Sequence, residues 1–190
     1  MFTLKNKYFL IIESIKDINL KKIKKHNKFN IIYRSKIIKD EISELIQFRR
    51  QCKSKKIKFY VANDLKLCVL IKSDGIYLSS YNCSFKHLNL KKLNFNIIGS
   101  AHNFKEINLK SKQKCDYILL SKLFMVAYDK QSPFLGILKY SKYLHVINKK
   151  LIPLGGINSN NLTKLNILNC VGLALMSEVK KKPAIIDRLF

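Results

Sequence analysis

At 190 residues, 47% hydrophobic and with a formal net charge of +25, the chain reads as one folded domain spanning residues 1–190, long enough to bury a sizeable core. That apolar fraction excludes a disordered tail, and no stretch approaches the roughly 18 consecutive apolar residues of a membrane span. In chain order, short apolar runs fall at residues 8–12, 29–33, 57–62, 75–78, 95–99, 116–120, 151–155 and 172–176. The first is followed by Glu13 and Lys16 instead of a small-residue cleavage site, so it reads as a strand and not as a signal peptide. A cytoplasmic protein without a membrane partner is the expectation.

Between the runs lie stretches with apolar residues three or four apart, such as Ile38, Ile42, Leu45, Ile46 and Phe48, and later Leu162, Leu165, Ile167 and Leu168. Continuous apolar runs suit strands covered on both faces, as in a parallel sheet with crossover helices. Eight such units predict an α/β fold, a compact (β/α)8 TIM barrel. The competing open doubly wound sheet lacks a G-x-G-x-x-G after its first strand.

The positive charge is carried mainly by lysine: of 37 Lys and Arg, only Arg34, Arg49, Arg50 and Arg188 are arginine, against 12 Asp and Glu. The lysines run the length of the chain, and the densest groups, at 21–25 and 53–56, fall where helix ends are predicted. No aromatic-plus-basic RNA signature accompanies them, and arginine, the better base reader, is scarce. The excess is read as compositional, ahead of RNA binding or attraction of anionic small molecules. Five cysteines (Cys52, Cys68, Cys83, Cys115, Cys170) form no C-x-x-C pair, and the four histidines lack zinc-ligand spacing. Buried, reduced thiols in a reducing compartment are expected.

Several runs end in polar or glycine residues, which a barrel gathers on its C-terminal rim. Gly155 and Gly156 follow the seventh run, and Ser177 follows the eighth, after Met176. Loops after strands seven and eight are the usual phosphate site of this fold, because glycine lets main-chain N–H groups approach an anion. Arg34 and Lys36 close the second strand and could clamp an anion. Asn63 and Asp64 end the third, where Asp64 is either a Mg2+ ligand or a helix N-cap. Ser100 and His102 follow the fifth strand, His102 being a general base or a loop-holding residue. Lys122 follows the sixth strand and is a candidate for moving protons, against the commoner solvent-facing lysine.

Taken in order, these segments resemble the thiamine-phosphate synthase and TenI (thiazole tautomerase) family. The likeness is carried by Ile31-Ile32-Tyr33-Arg34-Ser35-Lys36, Val61-Ala62-Asn63-Asp64, Ser73-Asp74-Gly75-Ile76-Tyr77-Leu78 and Ile97-Ile98-Gly99-Ser100-Ala101-His102-Asn103 with Glu106. Cys115-Asp116-Tyr117-Ile118, Ile152-Pro153-Leu154-Gly155-Gly156-Ile157 and Gly172-Leu173-Ala174-Leu175-Met176-Ser177 complete it. The resemblance implies that Gly156, Met176 and Ser177 hold a thiazole phosphate. It also implies that Arg34, Lys36, Asn63 and Ser100 face a hydroxymethylpyrimidine diphosphate, with Asp64 the candidate Mg2+ ligand. The synthase branch joins the two substrates and expels diphosphate with Mg2+; the tautomerase branch isomerises a thiazole carboxylate phosphate without metal.

The chain departs from the synthase pattern at three places. Ile32 replaces a glutamine, Asn82 replaces the second metal carboxylate, and Asp129 stands where the synthase has its diphosphate lysine, with Lys130 one place later. The tautomerase's catalytic histidine is Lys122 here. Expelling diphosphate needs developing negative charge to be neutralised, so these changes weaken that half of the site more than the thiazole phosphate half. A thiamine-biosynthesis protein acting on or binding thiazole phosphate is expected, with Lys122 or His102 moving any proton. A non-catalytic sensor of a phosphorylated thiazole or pyrimidine is the alternative, and an RNA-binding protein the third. A homo-oligomer is compatible with the chain. Gly156→Asp is expected to abolish phosphate binding, and Asn82→Ala to do little.

Overall fold

Alternate residues of each apolar run are buried on opposite faces, and this two-sided burial rolls the sheet. The structure, a computed structural model, describes residues 7–23, 26–35, 40–91, 95–126, 129 and 131–176. Its strands are β1 (Lys7–Ile12), β2 (Phe29–Tyr33), β3 (Lys58–Ala62), β4 (Gly75–Leu78), β5 (Asn96–Ala101), β6 (Tyr117–Leu120), β7 (Leu151–Pro153) and β8 (Gly172–Leu175). All pair in parallel, in the order β7-β6-β5-β4-β3-β2-β1-β8. β7 and β8 also lie in contact, so the eight strands make a nearly closed barrel.

Phe9, Ile11, Ile32, Tyr60, Tyr77, Ile98, Leu119, Ile152 and Ala174 fill the barrel interior. Their sequence neighbours, such as Leu10, Ile31, Phe59, Val61, Ile97 and Ile118, face the outer layer. The period of two thus places one set inside and one under the helices, each residue contributing roughly 1.5–3 kcal/mol when fully buried.

The outer layer holds α1 (Ile42–Ser54), α2 (Leu65–Leu70), α3 (Leu88–Lys91), α4 (Phe104–Lys112) and α5 (Gly136–Val146). Two connections correct the expectation of a helix between every pair of strands. The segment from β1 to β2 holds only short 3-10 turns at Ile15–Asp17, Leu20–Lys22 and His26–Lys28. The segment before β8 is a 3-10 helix, Leu162–Ile167. Its buried residues Leu162, Leu165 and Leu168 recur every third position, the 3-10 period, while Ile167 is exposed.

Cys52, Cys68, Cys115 and Cys170 are buried outside any disulfide, as expected, whereas Cys83 is exposed. No helix among the described residues is long and apolar enough to cross a membrane.

Candidate active site

The inward period continues past the strand ends into the mouth of the barrel. Two residues beyond Ile32, Tyr77, Ile98, Leu119, Ile152 and Ala174 stand Arg34, Ser79, Ser100, Ser121, Leu154 and Met176. The expectation that Ser100 follows the fifth strand is corrected: it lies inside β5, 5% exposed, because the ladder to β6 runs on through Ser100 and Ala101. Burial raises the Tyr77 phenol above its ordinary pKa, against a hydrogen bond with Ser100 and the charge of Arg34, which both lower it. Arg34 and Ser100 therefore converge on Tyr77, a residue not singled out from the sequence.

Asn63 sits beside them in the left-handed region (φ 59°), its amide donating to Tyr77 O at 2.8 Å. Its side chain is consumed by the next strand end. Nδ2 donates to Ser79 Oγ at 2.8 Å, and Oδ1 accepts from Ser79 N at 3.0 Å and Asn82 Nδ2 at 2.9 Å. Asn82 is therefore a structural partner of Asn63. Asp64 Oδ1 accepts from Leu67 N at 2.9 Å, so this carboxylate caps α2.

His102 lies at the start of α4, where Asn103 is the N-cap. Its Nδ1 is 3.0 Å from Glu106 Oε2, which also accepts from His102 N at 2.8 Å. The imidazole is half exposed and holds the loop. Lys122 forms an ion pair with Asp129, a pairing the sequence did not suggest. Its main chain packs against the turn after β7, where a Cβ added to Gly155 would lie 3.2 Å from Lys122 Cα.

Two glycines build that turn. Gly155 (φ 94°) and Gly156 (φ 69°) are consecutive left-handed residues. Leu123 N donates to Leu154 O at 2.9 Å and Phe124 N to Gly155 O at 3.0 Å, while Asn161 Nδ2 donates to Gly156 O at 2.7 Å. The carbonyls are thus engaged, whereas the amides of Gly155, Gly156 and Ile157 have no acceptor among the described residues. Leu154, which leads into this turn, and Met176 each pack against the interior cluster. Lys36 and Ser177 lie outside the described residues.

The resemblance implies Mg2+, which takes one or two carboxylates with substrate oxygens. Among the described residues no group of three or more His, Cys, Asp and Glu is placed to hold a metal. Asp64 spends one carboxylate oxygen, Oδ1, on the α2 cap, and the Asn82 amide donates toward Asn63 instead of offering a negative oxygen. Asp64 Oδ2 is the carboxylate oxygen that would meet a Mg2+ held mainly by substrate oxygens.

Fold and mouth together define a (β/α)8 barrel with its polar and glycine residues gathered at the C-terminal end of the strands. The sequence profile described as thiamine monophosphate synthase matches residues 20–179, and the chain belongs to that family. The thiamine-phosphate synthase of Prochlorococcus marinus subsp. pastoris is 30% identical over 140 residues, covering 73% of this chain and 40% of that protein. That of Persephonella marina is 23% identical over 150 residues, covering 78% of this chain and 71% of the relative. The chain thus matches well under half the length of the Prochlorococcus protein. Among solved structures, thiamine phosphate pyrophosphorylase from Pyrococcus furiosus superposes with a TM-score of 0.70 at 16% identity, covering 98% of each chain. The 3-hexulose-6-phosphate synthase from Salmonella typhimurium superposes with a TM-score of 0.66 at 11% identity, covering 96% of this chain and 97% of that one. At these identities the structural likenesses speak to the fold.

Proposed function

We propose that the protein acts in thiamine biosynthesis by binding a thiazole phosphate at the turn after β7 and the end of β8. The observation that carries this reading is the run of three amides at Gly155, Gly156 and Ile157, with no protein acceptor among the described residues, at the barrel end where phosphates bind. Gly156, Met176 and Ser177 would hold the phosphate and the ring. Arg34, Ser100 and Asn63, with Lys36, would face the pyrimidine diphosphate across the mouth. Lys122 and His102 remain the candidates for moving a proton, each in its bound form: Lys122 on Asp129, His102 on Glu106.

A second reading is favoured by one specific observation. The Asn63–Asn82 hydrogen bond occupies the rim where a synthase would need a metal carboxylate, so a protein that binds thiazole phosphate without expelling diphosphate also fits. Calorimetry with thiazole phosphate tests the shared claim, with saturable one-site binding expected and none contradicting it. Adding hydroxymethylpyrimidine diphosphate and Mg2+ then separates the two: thiamine phosphate accumulates in a synthase and not in a binding protein.

A further inference from the structure

Helix α4 carries a lysine where its core-facing side should be apolar. Lys110 follows Ile107 by three positions, and both are 0% exposed. Strand β5 makes room for it: a Cβ at Gly99 would lie 2.9 Å from Lys110 Cδ and 3.0 Å from Cγ. A buried ammonium is strongly unfavourable unless acceptors surround it. Here Lys110 Nζ donates to Asn82 O at 2.8 Å and to Gln113 Oε1 at 2.9 Å. Gln113 Nε2 grips the same connection, donating to Asn82 O at 2.9 Å and Ser84 O at 2.8 Å. The Asn82 side chain then reaches Asn63, and its Oδ1 accepts from Ser84 N at 2.9 Å.

We propose that Lys110 is a positioning residue for the barrel mouth: by clamping the Asn82 carbonyl it fixes the Asn82 amide on Asn63, and so sets the Asn63–Ser79 edge that faces the pyrimidine diphosphate. This deepens the functional reading above and rests on it. A staple that only joined α4 to the barrel would end on the sheet or its neighbouring helices. Lys110 instead ends on the connection leaving β4, at the residue whose side chain bonds Asn63. Its hydrogen-bonded chain runs without a gap from α4 through Asn82 to Asn63 and Ser79.

Lys110→Met keeps the stem and removes the ammonium. In hydrogen exchange, the amides of Ser79, Asn82 and Ser84 should speed up about tenfold while those of β1 and β6 hold their rates. Affinity for hydroxymethylpyrimidine diphosphate should fall about tenfold, with thiazole phosphate affinity unchanged, as expected when a supporting group shifts one edge of a site. Uniform acceleration, equal loss of both ligands, or no change in either would overturn the proposal. Gln113→Met removes the second clamp on the same carbonyl and should reproduce the selective pattern if Lys110→Met fails to fold. In the unaltered protein, the 15Nζ resonance of Lys110 should move on adding the pyrimidine diphosphate and stay still with thiazole phosphate; the reverse also overturns it. Should the unaltered protein bind neither ligand, the functional reading fails, and the exchange pattern alone decides whether Lys110 holds the loop.

Discussion

Lys122 and Asp129 close the loop after β6 on itself, the ammonium of one paired with the carboxylate of the other. Asp129 also accepts from Ser132 N at 3.2 Å, and Lys122 O accepts from Leu135 N at 2.9 Å. The hydrogen bond from Lys122 is the largest cause holding the Asp129 carboxyl below its ordinary range. A carboxylate that looks hostile to diphosphate is therefore neutralised, and it engages the cation that would otherwise meet the anion. Asp129→Asn should release that cation and tighten binding of inorganic diphosphate by about fivefold, the size of a modest charge contact. Titration calorimetry at low salt measures this, and unchanged or weaker binding would speak against the loop's place in the mouth.

Gly156 is held by packing as much as by any ligand. A Cβ there would come within 2.5 Å of Met125 O and 2.6 Å of Phe124 O, at a φ of 69° that side chains rarely adopt. Gly156→Ala should destabilise the fold by about 2 kcal/mol or more, from strain and forced displacement of the loop after β6. Denaturant unfolding checks it; a midpoint equal to that of the unaltered protein would refute the close approach. Gly156→Asp is for the same reason a poor probe of phosphate binding, since it disturbs the loop before charge matters.

The strands were legible because burial on both faces writes continuous apolar runs, and their bounds agree to within about two residues. The helical layer was less legible. Leu162, Leu165 and Leu168 mark a face of either helix type, and only the observed hydrogen bonds distinguish them. At the mouth, Arg34, Ser100 and Met176 could be placed because the inward period of two runs on through them. Asn82 could not: its bond to Asn63 spans 19 residues and depends on how two strand ends meet. Lys110 does leave a signal in the sequence, a polar residue in register with Ile107 on the buried side of α4. The Lys122–Asp129 pair is not legible in the sequence, because charge pairing through a turn has no fixed spacing.

Glu106 ties the start of α4 to the fifth strand end. Burial raises its pKa, but the hydrogen bonds and charge of His102, with a bond from Asn103, outweigh it and leave the carboxyl below its ordinary value of 4.5. A depressed folded-state pKa means the contribution is fully present above 4.5 and is lost as pH falls through the lower folded value. The stability difference between the unaltered protein and Glu106→Gln should therefore be present at neutral pH and shrink below 4.5. Thermal unfolding across that range measures it, and a difference that grows in acid would contradict the assignment.

Thiol chemistry gives an independent check of the packing. Burial pushes the Cys52 and Cys68 thiols up to about 12, while Cys83 is exposed beside the mouth loop. A disulfide reagent should label Cys83 quickly and the other four only on unfolding, because the thiolate is the reactive form. Rapid labelling of Cys52 or Cys68 in the folded protein would show that the helix layer is not packed as described.

In the proposed function, the turn after β7 presents its amides to a phosphoryl group. Amide 1H–15N spectra recorded while thiazole phosphate is added test it most directly. Downfield, saturable shifts are expected at Gly155, Gly156 and Ile157, larger than those at the opposite end of the barrel. Saturation with these three resonances unmoved would contradict it.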